Sequence, residues 1–165
     1  MLETYDGNGN QRERTENDNG IRSKAVAYDE SGRIEDYVLY DEEENVEYRK
    51  QLRSELYSDR EYYVEAVYAA GMIQTETHIE TDGEVTYKIE YRYSGNEKEI
   101  LYYSYENGET DTIGYSKYVN GTLRMETSYV CDINDVFLYY RLTKYDENGN
   151  EISEKAYDKN WNPMN

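Results

Sequence analysis

Tyr145-Asp146-Glu147-Asn148-Gly149-Asn150 is the stretch that decides the fold, because its pattern recurs along the chain. In these copies a tyrosine closes an apolar run, a segment with asparagine or glycine follows, and in most of them that segment is also acidic. Further copies begin at Tyr5, Tyr28, Tyr93, Tyr105, Tyr118 and Tyr157. Several copies lie roughly twelve residues apart, which fits one strand plus a short turn, and Asn-Gly pairs supply the positive φ angles of tight hairpins. The pattern predicts a succession of β-hairpins.

The side chains between these turns alternate in polarity. In the stretch 85–93 every odd position is apolar or aromatic and every even position is polar, and residues 73–80 repeat the alternation with threonine at two of the odd positions. This period of two is typical of a half-buried strand. Residues 136–145 are apolar at both parities, which predicts a central strand covered on two faces. We therefore predict an all-β protein of antiparallel hairpins in meander order that form a twisted sheet.

Two segments leave alternatives open within a predicted single domain over residues 1–165. Residues 1–20 include a run without apolar side chains, which is typical of a mobile segment or a polar edge strand. Residues 41–70 contain no glycine or proline and many good helix formers, so a helix within this range is one interpretation. Alternating side chains favour the other interpretation, in which residues 46–57 and 62–68 form strands.

The composition limits the kind of core and the kind of partner. Against 18 basic residues the chain has 36 acidic ones, so its formal net charge is −18, and it contains 22 tyrosines. Few aliphatic residues and a high charge are typical of disorder, but tyrosine rings supply apolar area while their hydroxyl groups stay hydrated. The composition excludes a thick aliphatic core, a membrane span and a basic nucleic-acid binder. Any partner should have a basic surface.

Few residues of the chain are candidates for catalysis or for metal binding. Cys131 is the single cysteine and His78 the single histidine, so the chain cannot assemble a Cys/His zinc cluster. His78 occupies a polar position of a predicted strand, as an exposed histidine would. We expect no enzyme activity, no catalytic residues, no metal and no cofactor. The polar, acidic start lacks the features of a secretion signal, so we expect a cytoplasmic protein, or a secreted one if the chain is an excised module.

Two stretches carry a resemblance to known repeats. Residues 145–152 resemble the tyrosine-aspartate repeat of bacterial RHS and YD-repeat proteins. Tyr118-Val119-Asn120-Gly121-Thr122-Leu123 is similar to the MORN-variant hairpin repeats of small antitoxin-type proteins. These resemblances imply extended antiparallel β structure built from stacked hairpins, in which neither the repeats nor their turns are catalytic.

The acidic charge gives the functional prediction. A net charge of −18 exceeds the magnitude of about 8 that a small domain needs for solubility. A rigid β scaffold that carries carboxylates can occupy a basic groove in another protein and imitate the phosphates of nucleic acid. The candidate partner-binding residues lie in two acidic runs. They are Asp41, Glu42, Glu43 and Glu44 in the first run and Glu106, Glu109 and Asp111 in the second.

We therefore predict a non-enzymatic acidic binding protein that masks a basic surface of a partner protein. Inhibitors, immunity proteins and nucleic-acid mimics, such as anti-CRISPR or anti-restriction proteins, are of this type. The partner could itself bind nucleic acid, whereas this chain should bind neither nucleic acid nor a membrane directly. The alternative is a tyrosine-rich repeat module of a bacterial surface or secreted protein.

Overall fold

The computed structural model describes residues 1–55, 60–106, 109–132 and 136–164, without the side chains of Glu106, Glu109 and Asp111. This part of the chain forms thirteen β-strands and no helix. The strands are β1 (Leu2–Tyr5), β2 (Gln11–Asp18), β3 (Ile21–Tyr28), β4 (Ile34–Tyr40), β5 (Val46–Ser54), β6 (Glu61–Ala69), β7 (Met72–Glu80), β8 (Val85–Ser94), β9 (Glu97–Glu106), β10 (Glu109–Val119), β11 (Thr122–Cys131), β12 (Phe137–Tyr145) and β13 (Glu151–Tyr157).

The chain divides into two compact units, Met1–Lys88 and Ile89–Asn165, and strand β8 crosses the border. In the first unit β1 to β7 pair antiparallel in sequence order. In the second unit β9 to β13 do the same. The predicted all-β fold of antiparallel hairpins in meander order, forming a twisted sheet, is confirmed. The single domain over residues 1–165 stays a prediction.

The helix considered within residues 41–70 is wrong for the part of this range that the structure describes. Strands β5 and β6 occupy it and pair from Tyr48↔Val67 to Ser54↔Glu61, while residues 56–59 lie outside the described part. Helix propensity is a weak preference, and here strand pairing with β4 and β7 overrides it. At the start of the chain, residues 1–20 contain β1 and β2, and β2 lies between β1 and β3.

Five turns share one construction, which we call the Asp turn. They span residues 6–10, 29–33, 41–45, 146–150 and 158–162, and each begins with aspartate. The N–H of the first residue donates to the C=O of the fifth, and the N–H of the fourth donates to the C=O of the first. The aspartate carboxylate accepts the N–H groups of the third and fifth residues. The recurrent acidic residue is thus part of the turn itself.

The fourth residue of every Asp turn has a positive φ angle. Glycine fills this position in three turns, at Gly9, Gly32 and Gly149, while Glu44 and Trp161 fill it in the other two. Glycine adopts the left-handed conformation without the steric cost that other residues carry. Tighter two-residue turns with positive φ at both positions, such as Asn120-Gly121, join β2 to β3, β6 to β7 and β10 to β11.

Replacing Asp146 by alanine should lower the melting temperature by about 2–4 °C, because three hydrogen-bond donors lose their acceptor. These donors are the N–H groups of Asn148 and Asn150 and the side-chain amide of Asn150. Glu147→Ala in the same turn is the matched control and should shift the melting temperature little. Thermal unfolding followed by circular dichroism measures both. Equal shifts would show that the carboxylate does not hold the turn.

Little of the protein is buried. Within each unit the described strands contact only their sequence neighbours, so no second layer covers either face. The buried apolar residues of the described part are Val26, Val38, Ala66 and Ile100, and none of its side chains is fully buried. Leu138 in β12 is 48% exposed, so the prediction that residues 136–145 form a strand covered on two faces is wrong. The apolar run instead contributes to an exposed aromatic cluster.

Tyrosine provides much of the side-chain packing. Tyr37 and Tyr48 meet edge to face in the first unit, with ring centroids 6.1 Å apart. In the second unit the Tyr115 hydroxyl donates to Glu99 Oε1 at 2.9 Å. Burial and the nearby Glu99 carboxylate raise the pKa of Tyr115 to about 12. Burial and the Glu65 carboxylate likewise raise the pKa of Tyr48 to about 12. These rings pack partly against charged neighbours rather than in a separate aliphatic core.

The free energy of unfolding should fall as the pH rises from 10 to 12. Tyr115 has a higher pKa in the folded protein than the ordinary value of 10.0, so the unfolded chain loses this proton first. The stabilisation is present below pH 10 and disappears as the pH approaches 12. Urea unfolding across this range should show a shallower alkaline decline for Tyr115→Phe than for the parent. Identical slopes would contradict the raised pKa.

Candidate binding site at an acidic turn

The first acidic run lies beside an open hollow in the Met1–Lys88 unit. The hollow has a volume of about 420 Å³ and lies between the β2–β3 turn and the Asp turn that joins β4 to β5. Its lining residues are Asp18, Asn19, Ile21, Arg22, Ser23, Tyr40, Asp41 and Glu42. These two turns meet because alternate turns of a meander lie at the same end of the strands. We call this place the acidic hollow.

Asp41 lines the hollow and stabilises the turn beside it. Its Oδ1 accepts the N–H groups of Glu43 at 3.0 Å and Asn45 at 2.8 Å, and its Oδ2 accepts the Asn45 side chain at 3.0 Å. Hydrogen bonds from the Asn45 side chain and the backbone lower the pKa of Asp41. The carboxylate is therefore charged at neutral pH and already engaged. A substitution here would disturb the turn as well as the charge.

The other three residues of the run differ in their surroundings. Glu44 occupies the left-handed fourth position, and its Oε1 accepts the backbone N–H of Arg22 at 2.9 Å, which ties the Asp turn to β3. Glu42 and Glu43 are exposed at the second and third positions, and Glu42 lines the hollow. These two carboxylates are the members of the run best placed to meet a partner.

One basic side chain, Arg22, lies among the lining residues. Its guanidinium carbon is 5.5 Å from the centre of the Tyr40 ring, a cation–π arrangement. Ile21 beside it is 40% exposed. The hollow thus combines carboxylates, an apolar surface and an aromatic ring that already holds one guanidinium.

Asp18 is a lining residue that the sequence reasoning missed. It ends β2, directly before the tight Asn19-Gly20 turn, and meets the 41–44 run only through the hairpin order. The signal that could have found it is the Asn-Gly pair itself. Once that pair is taken as a hairpin turn, the meander places Asp18 at the same end of the strands as residue 41.

The second predicted run lies in the other unit. Glu106 ends β9 and Glu109 begins β10, and the two residues are cross-strand partners, while Asp111 is the partner of Ser104. The side chains of the three acidic residues, and residues 107–108 between the strands, lie outside the described part. The pairing therefore places the backbones of Glu106 and Glu109 opposite each other. That this acidic run binds a partner stays a prediction.

The residues considered for catalysis take part in packing. His78 Nε2 lies 3.0 Å from Glu76 Oε1, and its ring stacks on Tyr62 with centroids 5.2 Å apart. Cys131 is half-buried at the end of β11. Within the described ranges no group of three or more His, Cys, Asp or Glu side chains is arranged to hold a metal ion. Those ranges also include no helix that could cross a membrane.

Comparison with known proteins does not assign the chain to a family. No protein-family model matches the sequence, and no curated protein matches it. A mutant of S. aureus TarM, solved with fondaparinux, α-GlcNAc-glycerol and UDP, is similar with 15% identity and a TM-score of 0.34. The similarity covers 59% of this chain and 17% of the TarM chain, so this protein spans a small part of that structure's length.

A porin-like protein from Bacteroides uniformis is also similar. It shares 11% identity over 93% of this chain and 86% of its own, with a TM-score of 0.26. Both TM-scores are too low to carry a conclusion about fold or function.

Proposed function

We propose that this protein is a non-enzymatic acidic binding protein that masks a basic surface of a partner protein. It would act as an inhibitor, an immunity protein or a nucleic-acid mimic, of the kind that anti-CRISPR and anti-restriction proteins represent. The acidic hollow would be its contact site in the Met1–Lys88 unit. The observation that carries the proposal is the grouping of Asp18 and Glu42 around an open, partly apolar surface, with the exposed Glu43 next to Glu42 in the same turn.

The distribution of the basic residues supports this proposal. At least ten of the 18 form ion pairs within the protein. Two examples are Arg49 with Asp36 at 2.6 Å and Lys117 with Glu97 at 2.7 Å. Positive charge is thus largely used inside the molecule, while the excess of carboxylates is available to attract a basic partner.

The chemistry of the acidic hollow suits a lysine or arginine side chain of the partner. Such a side chain buries its aliphatic stem on apolar surface and keeps its charged group in a polar setting. Here Ile21 and Tyr40 would receive the stem, and Asp18 and Glu42 would receive the charge. Arg22 over the Tyr40 ring is an internal example of the same arrangement.

A pull-down from the producing cells, or from their phage, tests the proposal at low and high salt. We expect a basic protein to be captured, and its affinity to fall steeply as salt rises, because the contact depends on charge. An unrelated basic protein, with a net charge similar to that of the captured protein, serves as the control for nonspecific attraction. Capture that does not respond to salt, or no basic protein captured at low salt, would contradict the proposal.

The alternative proposal is a tyrosine-rich repeat module of a bacterial surface or secreted protein. The observation that favours it is the Asp turn, because five copies use the same hydrogen bonds and any further hairpin could be added in the same way. Sequencing the surrounding gene tests it. A signal sequence upstream together with further Asp-turn repeats would support the module, and their absence would argue against it.

A further inference from the structure

The segment 158–164 folds back on β13. It begins with the last Asp turn, residues 158–162, and after it the Met164 N–H donates to the Ala156 C=O at 2.9 Å. Pro163 is the cross-strand neighbour of Tyr157 in an antiparallel bridge. The segment therefore starts to pair along the side of β13 that faces away from β12.

This side of β13 is a sheet edge. Because the Ala156 C=O points outward to meet Met164, the alternation of a strand points the backbone groups of Glu154 and Ile152 outward as well. Outward N–H and C=O groups in a row are a template on which another strand can pair. The short pairing at Ala156 covers the end of this edge next to the turn.

Trp161 holds the segment in place. It occupies the fourth position of the Asp turn with φ of 61°, where Gly9, Gly32 and Gly149 stand in other copies. A tryptophan is strained in this conformation. Its ring stacks on Tyr140 with centroids 4.6 Å apart and planes 5° from parallel, and lies 5.7 Å from Tyr157. The stacking offsets the strain and fixes the segment across β13 to β12.

Pro163 closes the outer side. The N–H of Asp158 donates to the Asn162 C=O, and the N–H of Met164 donates to the Ala156 C=O, so residue 163 sits between these bonds. The backbone groups of a residue in this position point away from the paired strand. Proline has no N–H group, so a further strand would find no donor there.

We propose that residues 158–164 form an edge cap, which prevents β13 from pairing with the β13 edge of a second copy of this protein. The cap joins three functions in one short segment. The Asp turn reverses the chain, Trp161 anchors the segment, and Pro163 ends the hydrogen-bonding ladder. This proposal concerns self-association and is independent of the basic partner.

Truncation after Tyr157 tests the edge cap. The removed residues contain one acidic and one basic side chain, Asp158 and Lys159, so the net side-chain charge stays −18. Light scattering after size exclusion, at rising concentration and salt, measures the mass. We expect the parent to stay monomeric and the truncated chain to reach at least twice the monomer mass, most clearly at high salt, where charge repulsion is screened. A folded truncated chain that stays monomeric throughout would overturn the proposal.

Two full-length variants keep the test decisive if the truncated chain does not fold. Trp161→Ala removes the anchor, so the Met164 amide should exchange with solvent at least about tenfold faster, and the variant should self-associate. Tyr129→Ala is the matched control, because it removes a different neighbour of Tyr140, 6.0 Å away, and leaves the Trp161 stack. It should change neither result. Unchanged Met164 exchange and a monomeric Trp161→Ala protein would overturn the proposal.

Discussion

Truncating Ile100 to alanine should lower the free energy of unfolding by about 2–5 kcal/mol, the range found for isoleucine-to-alanine changes at buried sites. Ile100 in β9 is only 7% exposed, and its cross-strand partner Ser116 is buried as well. The described part of the protein buries few apolar residues, and no second layer could move in to fill the space. The loss should therefore be a large fraction of the stability.

Ile152→Ala is the matched control for this prediction. It removes the same atoms from a residue of the same unit that is 64% exposed, so the change should stay within about 0.5 kcal/mol. Urea unfolding of the parent and both variants, with unchanged m-values, gives the comparison. Similar losses at both positions would mean that the local burial of Ile100 does not carry the stability of the second unit.

The double charge reversal Glu42→Lys with Glu43→Lys should weaken binding to the proposed basic partner by about tenfold or more. Both side chains are exposed, so the variant should fold normally. The reversal places one positive charge in the lining of the acidic hollow, at Glu42, and a second in the same turn, at Glu43, where the partner's basic side chain would approach. Affinity measured by calorimetry or surface plasmon resonance at low salt gives the result. Asp41 is left intact because its carboxylate holds the turn.

Glu30→Lys with Glu147→Lys is the control for this charge reversal. These two glutamates occupy the second position of other Asp turns, as Glu42 does in its own, and both are exposed. Either double variant changes the net charge from −18 to −14, since each reversal adds two. Only the reversal at the hollow should reduce affinity strongly. Equal losses would show that the overall charge, rather than the acidic hollow, attracts the partner.

The hairpin architecture was predictable because its signals are local. A turn such as Asp146 to Asn150 contains its own aspartate, glycine and asparagine, and the flanking side chains alternate. The role of the aspartate was missed, since sequence reasoning counted Asp41 among the residues free to bind a partner. The hydrogen bonds that its carboxylate accepts from Glu43 and Asn45 show that the aspartate of such a turn has a structural role, whether or not it also binds a partner.

The remaining differences arise where information is not local. Helix formers in the 41–70 range predict a helix by propensity, but the choice depends on β4 and β7, which offer partners on both sides. The apolar run at 136–145 suggests burial on two faces, although such burial depends on a second layer, which the described strands of neither unit form. Asp18 lies at the acidic hollow because of the order in which the strands pair, and this order cannot be read from a short stretch of sequence.

The nearest-neighbour contacts of the strands have a consequence for how each unit folds. Because the described strands of each unit contact only the strands before and after them, their contacts join neighbouring strands of the meander rather than distant parts of the chain. Chains with such low contact order close short loops and therefore fold quickly for their size. Their stability approximates a sum over hairpins and the interfaces between them, as in linear repeat proteins. Each unit should therefore open one hairpin at a time from its outer strand, with the inner strands protected longest against hydrogen exchange.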